Sequence, residues 1–135
     1  MMAGFKWVGS IDGSQPIIKD IVVQASEVLS SGEMVNLESG EADGGATNDS
    51  AFLGIATHDV DNTVDGHVVS VICNPGAIYE VYDPNVRTIG DLLDLATGGM
   101  GLAAASNNDF RVWKSSTADE PTQVIFNGNH AFGWA

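Results

Sequence analysis

The chain has 135 residues, enough for one domain that buries its own core. It carries 18 Asp plus Glu against 5 Lys plus Arg, a net charge of −13, and a surface so poor in cations argues against nucleic acid or an anionic membrane as a partner. Apolar content of 44% is that of a folded protein, and no stretch approaches the roughly 18 continuous apolar residues of a membrane span.

Charged residues total only 17%, so the acidity comes from missing Lys and Arg rather than from added carboxylates. Cys73 is the one cysteine, which leaves no intrachain disulfide. The first residues lack the apolar run of a secretory signal, so synthesis in a cytoplasm is expected.

Residues 1–16 scatter Phe5, Trp7, Val8 and Ile11 among Gly4, Gly9, Ser10, Asp12, Gly13 and Ser14. Neither a helical nor a strand period persists there, and the segment reads as an extended N-terminal arm that needs an apolar surface to lie on. A single β-rich domain is expected over residues 17–135. Strands are predicted at residues 17–24, 34–37 and 51–57, with Gly54 marking a bulge or a close backbone approach. Residues 38–50 hold three glycines and four acids without a large apolar side chain, and read as a surface loop. Residues 67–73 alternate with apolar side chains on both faces, as in a central strand.

A further strand over residues 77–82 is closed by Asp83-Pro84-Asn85. Thr88 followed by Asp91 resembles a capping box, and Ile89, Leu92, Leu93 and Ala96 form a helical stripe. One short α-helix is therefore expected over about residues 88–97, ended by Gly98-Gly99. Residues 110–114 read as a strand, and residues 123–126 and 129–134 as a hairpin about Asn127-Gly128. The sum is a mainly β chain, a small β-barrel or sandwich with one short helix and an arm.

Chemical signatures are sparse. Asp61, Thr63, Asp65 and Gly66 match the first half of a calcium loop, but Ile72 stands where the twelfth-position acid belongs. His58 and His67 flank the same turn without a third zinc ligand. A solvated turn is the reading, with no metal and no cofactor. Cys73 ends an apolar strand with no basic neighbour in sequence, and no serine sits in a nucleophile elbow. The chain reads as a protein that is not an enzyme. His130, Phe132 and Trp134 share one face of the last expected strand, where they either pack in the core or form an aromatic subunit contact.

The run Val28-Leu29-Ser30-Ser31-Gly32-Glu33-Met34-Val35-Asn36-Leu37 is followed by a glycine-rich loop and Phe52-Leu53-Gly54-Ile55-Ala56. Gly66-His67-Val68-Val69-Ser70-Val71, Asn74-Pro75-Gly76 and Ile89-Gly90-Asp91-Leu92-Leu93-Asp94-Leu95 come next. Over about residues 27–126 this pattern resembles the head decoration, or cement, proteins of tailed bacteriophages. The resemblance implies a β-rich homotrimer on the outer surface of the virion capsid, which stabilises the mature head by tying major capsid protein subunits together. Phe5, Trp7, Val8 and Ile11 would then be the capsid-binding arm. Two alternatives stand beside it. One is another β-rich virion subunit, from a tail or fibre. The other is an acidic mimic of nucleic acid, although the acids here gather in loops rather than in ordered rows.

Overall fold

Period-two burial dominates the chain. In Ala77–Asp83 the side chains of Ala77, Tyr79, Val81 and Asp83 are buried, while those between them are half-buried. Such segments bury one face each and have to stack in layers. The computed structural model describes residues 4–44, 51–63, 67–104 and 108–132. Its strands are β1 (Phe5–Ser10), β2 (Ile18–Val22), β3 (Val28–Leu29), β4 (Met34–Glu38), β5 (Glu41–Gly44), β6 (Phe52–Ala56), β7 (Val60–Asp61), β8 (Val68–Ile72), β9 (Ala77–Asp83), β10 (Leu92–Leu95), β11 (Leu102–Ala104), β12 (Phe110–Lys114) and β13 (Glu120–Phe126).

These strands form three antiparallel sheets. Sheet A has six strands in the order β1-β9-β13-β12-β10-β11, and sheet B has five in the order β2-β8-β6-β4-β5. The pair β3-β7 makes the third. Sheets A and B meet over an aromatic core in which Phe5, Tyr79, Phe110 and Phe126 of sheet A pack with Met34, Phe52 and Ile55 of sheet B. A second core lies on the other face of sheet B, where Ile21, Val35, Leu53, Val69 and Val71 are covered by Leu29 and Val60 of the third sheet. Sheet B curls around this second core until Val23 bridges Ala42.

The expected architecture needs four corrections. No barrel closes, and no helix occurs among the described residues. Asp91 does reach back to the Thr88 N–H (3.0 Å), as a capping box would. But Gly90 then takes φ +91°, which ends any helical turn, and Leu92–Leu95 becomes β10, paired with β12 and β11. Leu93 and Leu95 are worth more in the aromatic core than on a short isolated helix.

The N-terminal arm is likewise a strand. β1 pairs with β9 from Phe5↔Val81 to Ser10↔Ala77. Past it, Ile11 N–H donates to Gly76 O (2.9 Å), and the Asn74 side chain holds the Ile17 N–H (2.6 Å) and the Gln15 carbonyl (2.9 Å). Residues 38–50 were expected as loop, yet β4 and β5 form a tight hairpin. Its turn residues Ser39 and Gly40 both have positive φ (51° and 80°), as a type I′ turn requires. Finally, the chain after Asn127-Gly128 does not fold back on β13. It clamps onto β6 instead, with Phe52 N–H donating to Asn129 O (3.0 Å) and Ala131 N–H to Phe52 O (2.7 Å).

Gly54 leaves the space in which the Tyr79 hydroxyl of sheet A meets the Ile72 carbonyl of β8. Its φ is +152°, and a Cβ there would collide with the carbonyl oxygen of Ile72 and crowd the Tyr79 hydroxyl. Gly54→Ala is expected to cost more than the roughly 1–3 kcal/mol of an ordinary strained backbone position, read as the shift in urea unfolding free energy. Phe5 is 4% exposed. Phe5→Ala should therefore destabilise by about 3–5 kcal/mol, and a chain starting after β1 should lose its cooperative thermal transition.

Candidate interaction surfaces

Sheet A does not cover all of sheet B. At the β1 side a groove of 590 Å³ opens between the sheets, walled by Phe5 and Trp7 of β1, by Ile55 and Ile72 of sheet B and by Thr57 just past β6. β1 carries a register shift between Trp7 and Gly9. The Trp7 Nε1–H is buried and has no hydrogen-bond partner among the described residues. A buried donor without an acceptor is costly, so this indole is a strained point in the wall of the groove.

The four arm residues part company. Phe5 lies in the aromatic core beside Tyr79 and Phe110, and Trp7 packs against that core. Val8 and Ile11 are each 39% exposed and remain available at the surface. β1 carries alternating burial that the interspersed glycines hide in the sequence. Of the aromatic trio near the C-terminus, His130 is buried, Phe132 is 52% exposed, and Trp134 lies outside the described residues. The rings of His130 and Phe132 are 5.7 Å apart.

His130 is a structural clamp. Its Nε2–H donates to the Leu53 carbonyl (2.7 Å) and its Nδ1 accepts the Phe132 N–H (3.1 Å). Both bonds together need the neutral ring. His58 likewise spends Nε2 on a backbone group, accepting the Ser70 N–H (3.1 Å). Asp65 of the half-matched calcium loop lies outside the described residues, and Asp61 accepts the Thr63 N–H (3.2 Å). Burial pushes the Cys73 thiol up, away from thiolate character, which makes it a poor nucleophile.

Two polar features escape the sequence reading. Glu27 and Asp43 face each other across β3 and β5, and burial together with the Asp43 charge raises the Glu27 carboxyl above its ordinary range. Asn62 is fully buried and donates to the carbonyls of Val23 (2.8 Å) and Gln24 (2.9 Å). The density of acids in residues 38–50 was the only available signal for the first, and nothing local signals the second.

No family model and no curated protein matches this chain. Among solved structures it is similar to the head fibre gp8.5 N base of bacteriophage phi29, with a TM-score of 0.53 and 13% sequence identity. The match covers 82% of this chain and 95% of that one. The two chains share a fold. The superposition extends over nearly all of the phi29 base, so the likeness concerns the whole double-sheet arrangement and not one hairpin.

The His130 clamp makes stability depend on pH. Burial holds the imidazole below its ordinary 6.5, so the unfolded chain takes up a proton that the folded chain refuses. The stabilisation is present above the unfolded value and is lost as pH falls through the folded one. The urea midpoint should therefore drop between about pH 7.5 and pH 5, and drop less in His130→Gln, where no ring titrates. Equal pH dependence in the two proteins would contradict the clamp.

Proposed function

We propose that this chain is a structural protein of a tailed-phage virion that sits on the outer surface of the head as a decoration protein. The observation that carries the reading is the fold likeness to the phi29 head fibre base, which spans 82% of this chain. The sequence resemblance to head decoration proteins between residues 27 and 126 supports the same reading from independent features.

In this reading the protein acts by contact and not by chemistry. It binds the major capsid protein as a homotrimer and ties neighbouring shell subunits together. Three linked contacts convert modest single affinities into strong avidity. Binding only the mature shell stabilises that shell by mass action. Correcting the arm to a strand moves the proposed contact: Val8, Ile11 and Phe132 are exposed and can be buried on the shell, whereas Phe5 cannot leave the core without unfolding it. A second reading, the base of a head fibre, is favoured by the identity of the phi29 neighbour. Neither reading involves nucleic acid, a membrane or a cofactor.

Co-sedimentation with expanded, undecorated capsids tests the proposal. The free protein should pellet with shells to saturation and raise their melting temperature. Val8→Asp combined with Ile11→Asp should weaken binding at least about tenfold while leaving the protein's own melting temperature nearly unchanged. Pelleting with tails but not with shells would contradict a head location.

A further inference from the structure

The edge of sheet B at β2 exposes a group of apolar side chains. Ile18 is 58% exposed and Val22 47%, with Ile17 and Val68 similarly open. Their placement is systematic. Across the strands, Ile18 pairs with Ile72, Ile72 with Ile55, and Ile55 with Met34. This row starts in the aromatic core, passes the groove at Ile72, and runs out to solvent at Ile18. Val22 and Val68 form a second such pair on the same face.

The backbone at this edge is also open. The bonds Cys73 N–H to Ile17 O (2.9 Å) and Val23 N–H to His67 O (3.0 Å) fix which β2 residues bond to β8. By antiparallel alternation Lys19 and Ile21 complete that ladder, and Ile18 and Asp20 turn their N–H and C=O groups the other way. From Val23 onward β5 takes over the edge through the Val23–Ala42 bridge. Beside Ile18 and Asp20 no strand lies among the described residues, because β2 ends its sheet. Native proteins usually blunt such an edge with charge or proline. Of the two exposed charges on β2, Lys19 lies on the other face, and Asp20 shares the face of Ile18 and Val22, where it accepts the Ser70 hydroxyl (2.6 Å).

We propose that β2 is a docking edge for an extended segment of a partner protein, one that places apolar residues at alternate positions around a central Lys or Arg and adds as a further strand to sheet B. The free N–H and C=O groups of Ile18 and Asp20 ask for a strand. The apolar flanks ask for apolar residues opposite Ile18 and Val22, and Asp20 asks for a cation between them. A second copy of this chain does not meet the demand. The antiparallel register that sets Ile18 against Val22 of another copy also sets Asp20 against Asp20, and parallel in-register pairing does the same. A net charge of −13 on each copy adds to that repulsion. The inference does not depend on a virion location, since it specifies the partner strand by its chemistry.

The test uses the full chain, ¹⁵N-labelled, titrated with a capped peptide of sequence Thr-Val-Thr-Lys-Thr-Val-Thr and with its Lys-to-Glu counterpart. The lysine peptide should shift and protect the amides of Ile18 and Asp20 and bind about tenfold more tightly than the glutamate one. Asp20→Lys should invert that preference. Ile18→Pro removes an outward N–H without touching the β8 ladder, and should abolish binding while circular dichroism and melting stay as before. If that variant fails to fold, the Asp20→Lys inversion still decides. Equal binding of the two peptides, or shifts confined to other strands at millimolar peptide, would overturn the proposal. So would concentration-dependent dimerisation that Ile18→Pro abolishes, because the occupant would then be a second copy.

Discussion

The Tyr79 hydroxyl donates to the Ile72 carbonyl (3.0 Å), a bond that runs from sheet A to sheet B at the margin of the aromatic core. Much of the remaining structure depends on this crossing. Tyr79 is fully buried, and its ring meets Phe5 and Phe126 edge-on at 6.4 and 5.6 Å. A buried phenol needs an acceptor, and the nearest one available is a main-chain carbonyl of the opposing layer. The path to it is open only because no side chain stands at position 54 of β6. Gly54 supplies the gap. The bond thereby fixes the spacing of the layers and the relative position of β9 and β8.

That spacing decides what stays outside. Sheet A lies over β4 and β6, touches β8 at Ile72 and does not reach Ile18 of β2, so the row from Met34 to Ile18 passes from core to solvent within one sheet. The groove beside Trp7 lies where cover ends. The other face of sheet B has no such gap, because the sheet curls and the β3-β7 pair caps it. The molecule thus carries two cores on one sheet and an apolar margin at β2, where a partner can gain by burying surface.

Legibility in the sequence followed the length over which each pattern could be read. The strand over residues 110–114 was plain, and so were β6, β8 and β9, because alternation or continuous apolar character persists there for five residues or more. β10 was misread since Ile89, Leu92, Leu93 and Ala96 fit a helical stripe while Leu92–Leu95 fits a buried strand equally well, and only pairing with β12 separates the two. β1 was missed because Gly4 and Gly9 interrupt its pattern and because its partner β9 lies about seventy residues away, beyond any local window. The Asn-Gly signal after β13 was real as a turn but silent about which strand the chain would meet next. The candidate surfaces were the least legible. Exposed Ile18 and Val22 look like core residues until the extent of sheet A is known, and His130 gives no local sign that both ring nitrogens are engaged.

The proposed role in assembly starts from a double-layer β fold shared with a phage head fibre base and from the apolar side chains exposed at β2. Electron cryomicroscopy of virions from a phage that carries this chain, compared with particles lacking it, tests that account most directly. The account predicts extra density on the outer surface of the head, in threefold groups, into which the double-sheet fold fits with its apolar margins facing protein. Unchanged heads, or density confined to the tail, would contradict it.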